Sequence, residues 1–149
     1  MSNELTACDA WIIRTLAGQI GRGDPALNGV AAYADIVPEG AAFPCLLFSC
    51  LSAKDRVGPG AVRLLTRPLY FIRAVGQGDS FALLKPLATA MDGLLQQTSL
   101  QSAYVPPAVI DSVTVRGAFR EEAHQSSSVT DGVRYIYLGG LYRIHCYQD

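Results

Sequence analysis

The chain has 149 residues, half of them hydrophobic, and 12 basic against 13 acidic side chains give a formal net charge of −1. That length is one ordinary domain able to bury much of its unfolded surface, and the balanced charge leaves no bulk field arguing for nucleic acid or an anionic membrane as the main partner. Cys8, Cys45, Cys50 and Cys146 are scattered rather than spaced as a framework, which reads as reduced core cysteines; no apolar run approaches a membrane span, and the opening Met-Ser-Asn-Glu lacks a signal-peptide pattern, so cytoplasmic synthesis is expected.

Apolar residues Leu5, Cys8, Trp11, Ile12, Leu16 and Ile20 recur at helical spacing and predict a first amphipathic helix over Asn3–Ile20. Gly21-Arg-Gly-Asp-Pro25 then stops it, and Asn28-Gly29 marks a second turn. Ala31–Val37 reads as a short strand, Phe43–Leu51 as a buried strand, and Lys54–Gly60 as a polar turn. Val62–Val75 has strand composition, but Pro68 cannot donate to a ladder, which predicts an edge strand or a bulge there. Asp79 is placed to cap a second helix running to about Gln97, with Leu83, Leu84, Leu87, Met91, Leu94 and Leu95 as its apolar face; Pro86 should kink it or shorten its start. Pro106-Pro107 closes a loop, after which Val109–Phe119 alternates as a half-exposed strand.

Arg120–Gly132, REEAHQSSSVTDG, lacks apolar anchors and is expected to be a mobile loop. The final strand, Val133–Tyr147, contains Gly139-Gly140, which is either a two-residue hairpin turn or, the favoured reading, a bulge in one long strand. The resulting order has no strict βαβ alternation. It predicts an α+β domain: a mixed or antiparallel sheet of about four to five strands with two main helices packed on one face.

Tests for chemistry fail in turn. There is no Cys-x-x-Cys pair, Cys45 and Cys50 face opposite sides of a strand, and His145 and Cys146 diverge, so no metal or other cofactor is expected. His124 and His145 lack the nucleophile and orienting acid that covalent catalysis needs, and no Gly-x-Ser-x-Gly elbow exists. Gly21–Ala26 spells Gly-x-Gly-x-x-Ala, but a helix precedes it where a dinucleotide fold needs a strand. Glu121 and Glu122 sit together with nothing to hold them in a catalytic geometry. No enzymatic activity is expected.

Ten arginines accompany two lysines, an imbalance of genomic composition or of interfaces, where Arg is enriched and Lys depleted. Arg63, Arg67 and Arg73 share one strand parity, and would either pair with a neighbouring subunit or channel wall or face solvent.

Tyr33-Ala-Asp-Ile-Val-Pro38, Phe43-Pro-Cys-Leu-Leu-Phe48, a further strand, a Leu-rich helix and Tyr135-Ile-Tyr-Leu-Gly-Gly-Leu-Tyr-Arg-Ile144 together resemble the tail terminator, or tail-completion, proteins of long-tailed bacteriophages. The resemblance covers most of the chain in order and rests on loose motifs. It implies a virion protein without an active site, forming a six-membered ring that stops growth of the tail tube and offers a head-joining surface. Its partners would be further copies of itself, the tail-tube protein and a head-tail connector or neck protein, with DNA only as passing cargo and no membrane. Two polar loops are the contact candidates: Ala53–Ala61 with basic Lys54 and Arg56, and Arg120–Gly132 with acidic Glu121, Glu122 and Asp131, their opposite charges fixing partner order. Neck stopper or adaptor proteins are the alternative. A small-ligand domain with a cleft near Trp11, Tyr33 and the C-terminal tyrosines is a third reading.

Overall fold

The computed structural model describes residues 3–21, 23–61, 63–96 and 107–148. In chain order α1 spans Asn3–Leu16, β1 Ala32–Ala34, β2 Cys45–Val57, β3 Arg63–Gln77, α2 Lys85–Leu95, β4 Ala108–Ile110, β5 Val113–Thr130 and β6 Val133–Gln148. The strands form one six-stranded sheet in the order β1-β2-β3-β6-β5-β4. β1 runs parallel to β2, and all other neighbours are antiparallel. The α+β class and mixed sheet agree with expectation. The strand number is higher because the strand expected over Val109–Phe119 is divided: Asp111 and Ser112 both take positive φ, 50° and 64°, and turn the chain tightly between β4 and β5.

The apolar stripe of α1 buries Cys8, Trp11, Ile12 and Leu16 against the sheet. The helix ends four residues before the expected Ile20. Gly18 adopts φ 78°, Gln19 N–H donates to Arg14 O (2.8 Å) and Gly18 N–H to Thr15 O (3.2 Å), a glycine stop that satisfies the last carbonyls. In the second helix Pro86 shortens the start rather than kinking it. Ser80, not Asp79, caps a single 3-10 turn at Phe81–Leu83, and α2 begins with Pro86 in its first turn, where a missing N–H costs nothing. The expected end at Gln97 and the Pro106 half of the Pro-Pro loop lie outside the described residues.

Even-numbered positions of β3 and β6, including Tyr70, Ile72, Ala74, Ile136, Tyr142 and Ile144, face the helices and are buried. Two tyrosine hydroxyls tie helices to sheet: Tyr70 Oη donates to Asp9 and Tyr142 Oη to Asp92 Oδ1 at 2.7 Å. Burial raises the Asp9 pKa above the usual carboxylate value, partly offset by the Tyr70 hydrogen bond. Cys8, Cys45 and Cys146 are buried and Cys50 half-buried, all as free thiols.

Four further expectations are corrected. Lys54–Gly60 is not a turn: β2 continues to Val57 and pairs with β3 throughout, with Lys54 opposite Arg67 and Arg56 opposite Leu65. Arg120–Gly132 is not a loop. β5 runs through it to Thr130, paired with β6 residue by residue, and only Asp131 (φ 51°) and Gly132 (φ 76°) form the turn, both positive as a type I′ hairpin requires. Backbone ladder bonds hold this arm, so its polar side chains give no warning of it.

Pro68 lies in an interior strand, not at an edge. Pro68 itself stands opposite Ala53, and the irregularity falls beside it on β2, where Leu51 is the extra residue between the Cys50–Tyr70 and Ser52–Leu69 pairs, so Arg67 and Arg73 keep one parity along β3. The cost falls on the β6 side, where pairing lapses between Thr66 and Leu69. There Arg143 Nη1 donates to Arg67 O at 3.0 Å and Cys146 Sγ to Thr66 O at 3.6 Å, replacing ladder donors. Gly139-Gly140 is neither hairpin nor bulge, because β6 passes through it in continuous register with β3; the nearby bulge falls on β5, at Glu121.

Candidate functional site: the open face of the sheet

The helices cover one face of the sheet. On the other, the segment from Asp35 to Pro44 covers only one end, where Val37 and Phe43 pack with Cys45, Leu47 and Val75. The rest is open among the described residues. Strand parity decides what it presents: Lys54 and Arg56 from β2, Arg67, Phe71 and Arg73 from β3, Phe119, Glu121, Glu122 and His124 from β5, and Tyr137, Leu141, Arg143, His145 and Tyr147 from β6.

These side chains form a stacked surface rather than a scatter. The Arg73 guanidinium lies between the Phe71 and Tyr137 rings, 4.4 and 4.6 Å from their centroids. Phe71 meets His124 and Phe119 meets His145 as tilted ring pairs, centroids 5.2 and 5.5 Å apart, and the Arg116 guanidinium sits 5.3 Å from the Tyr147 ring. Cation–π contact of this kind holds an arginine by ring electrostatics while its remaining donors stay available. Among the described residues no acceptor reaches the buried Nε of Arg73, and burial lowers its pKa.

Lys54, Arg67, Phe119, Glu121 and Arg143 line a depression of about 210 Å³. Arg143 grips Glu121 through Nε to Oε1 at 2.8 Å and Nη2 to Oε2 at 3.4 Å, and this pairing holds the Glu121 carboxyl below its usual range. One carboxylate thus faces three basic groups. The positive surroundings are felt nearby: His145 is lowered first by burial, then by Arg67, Arg143 and Arg116, so its imidazole is neutral at pH 7.

The structure therefore brings Lys54, Arg56, Arg67, Arg73, Glu121 and Glu122 onto one face. The two segments expected as loops are strands, and Lys54 of one and Glu121 of the other line the same depression. Glu122 contacts His124 Nε2 at 3.4 Å. Asp131 stands apart at the hairpin tip; Arg63 begins β3, and its side chain lies outside the described residues. The third reading's cleft is not formed at Trp11, which is 1% exposed. Sequence reasoning missed Arg143, whose parity along β6 matches Tyr137 and Tyr147, and Arg116, which sits at a bulge of β5 where parity gives no guide.

Chemically the face offers aromatic rings, guanidinium donors and a carboxylate held by Arg143. No group of three or more His, Cys, Asp or Glu able to hold a metal occurs among the described residues, and no described helix is long and apolar enough to cross a membrane. The chain matches no protein-family model and no curated protein.

Proposed function

We propose that this chain is a structural assembly protein of the tail-terminator kind, closing as a ring on the end of a phage tail tube and offering a joining surface to the head-tail connector. The observation that carries an assembly role is the uncovered sheet face. A β-sheet needs its apolar faces covered, yet among the described residues one face leaves rings and arginines half-buried or exposed, Phe119 at 43%. Aromatic residues and arginine are the types enriched at interface cores and hot spots. The terminator identity itself comes from the resemblance of the Tyr33–Phe48 and Tyr135–Ile144 segments.

The test uses two surface substitutions and purified tail tubes. Phe119→Asp, in the open face, should abolish capping of tube ends seen by negative-stain microscopy, while Arg14→Glu, exposed on α1, should leave it intact. Equal capping by both variants contradicts the assignment of this face.

A further inference from the structure

The two outer edges of the sheet are each covered over only part of their length. β1 pairs with β2 at Leu46, Leu47 and Phe48 alone, and β4 pairs with β5 at Val113, Thr114 and Val115 alone. Among the described residues no strand lies along β2 from Cys50 to Val57 or along β5 from Arg116 to Thr130. These open stretches sit at diagonally opposite corners, because the β2 stretch runs toward the β2–β3 turn and the β5 stretch toward the β5–β6 turn at the other end. Unpaired edges of this length are templates for strand addition unless something blocks them. The β5 stretch has no proline, and its only bulges are at Arg116 and Glu121.

We propose that copies of this chain join edge to edge, the open stretch of β5 in one copy pairing antiparallel with the open stretch of β2 in the next. The proposal rests on the ring reading above and names the surface through which such a ring closes. Three observations converge on a second copy as the occupant. Direction fits: three successive antiparallel pairings separate β2 from β5, so they run oppositely and a neighbour with the same face up meets β5 antiparallel.

Charge fits on both faces. On the open face the β2 stretch carries Lys54 and Arg56 and the β5 stretch Glu121 and Glu122, with Arg116 at its start held over the Tyr147 ring; on the helix face β2 carries Asp55 and β5 carries Arg120. Opposite charges across paired strands stabilise and like charges destabilise. Apolar exposure fits as well, since Leu51 (54% exposed) and Val57 lie on the β2 stretch and Val129 (60%) on the β5 stretch, and pairing would cover them. The diagonal placement forces each copy to step along the strand direction relative to the last. A stagger of that kind, with tilted strands, is what closing a sheet on itself requires, and head-to-tail contacts that close make a ring.

The test is charge reversal with complementation on the full chain. Arg56→Glu and Glu122→Arg each place like charges across the joint and should weaken self-association about tenfold, read by light scattering across a concentration range and by rings seen on tail tubes. Mixing the two variants in equal amounts lets every joint in an alternating ring pair opposite charges, so assembly should recover to the wild-type level. Circular dichroism of each variant confirms an intact fold. Single variants that assemble like wild type, or a mixture no better than either variant, overturn the edge pairing and leave the ring reading standing. A wild-type chain that stays monomeric both alone and on tubes overturns both.

Discussion

Gly139 and Gly140 sit where β6 presses closest to its two neighbours. A Cβ on Gly139 would run into Ile72 O and the Arg73 backbone, and one on Gly140 into Glu122 O and the Arg120 side chain. Backbone atoms in a paired strand cannot swing aside as a flexible side chain can, so the β3–β6 ladder itself would have to shift. Gly139→Ala should cost about 3 kcal/mol, seen as a fall in Tm of roughly 10 °C for a chain of this size. A Gly-Gly pair in a sequence announces only that something needs glycine. Turn, bulge and close approach give the same two letters, and the neighbours that decide among them, Ile72 and Glu122, are far away along the chain. Asp9 supplies a pH prediction. Its folded pKa is raised, chiefly by burial, so its contribution to stability is fully present below its unfolded value and is lost as pH rises through the folded one. Asp9→Asn still accepts from Tyr70 but carries no charge. Thermal melts should show it above wild type by on the order of 1–2 °C at pH 7, with the gain gone in acid.

At the scale of elements, the β5–β6 hairpin is the part of the fold least visible in the residues. Its outer half reads REEAHQSSSVT, polar on both sides because both sides meet solvent, and hydrophobic periodicity has nothing to report there. The legible signal was Asp131-Gly132 between Val129 and Val133, a hairpin pair. Gly132 occupies φ 76°, a region that L side chains with branched Cβ avoid. Gly132→Val should therefore cost about 1–2 kcal/mol, and hydrogen exchange should localise the loss to amides of Gln125–Thr130 while those of β3 keep their protection. Uniform loss across the sheet would place the turn in the global core instead. By contrast α1, α2 and the central strands were legible, since each buries one face and carries the matching period. Pro68 misled because its missing donor was charged to an edge, whereas Arg143 and Cys146, both more than seventy residues away, fill the gap from their own side chains.

At the scale of the whole molecule, the described residues place the helices on one face of the sheet and only segment 35–44 on part of the other, with both outer edges partly paired. Of the residues singled out in the sequence, those that alternate along a strand came together because parity is a local property. The two charged segments are strands where loops were expected; their opposite charges remain, on β2 and β5, and across the intervening β3 and β6 Lys54 and Glu121 line one depression. The central claim is that these surfaces serve assembly on a tail tube. The most direct measurement is the mass and shape of the purified chain, alone and mixed with a candidate tail-tube protein, by light scattering and negative-stain microscopy. The account predicts six-membered rings seated on tube ends and tubes that lengthen no further; a chain that remains monomeric and leaves tube growth unchanged across a wide concentration range contradicts it.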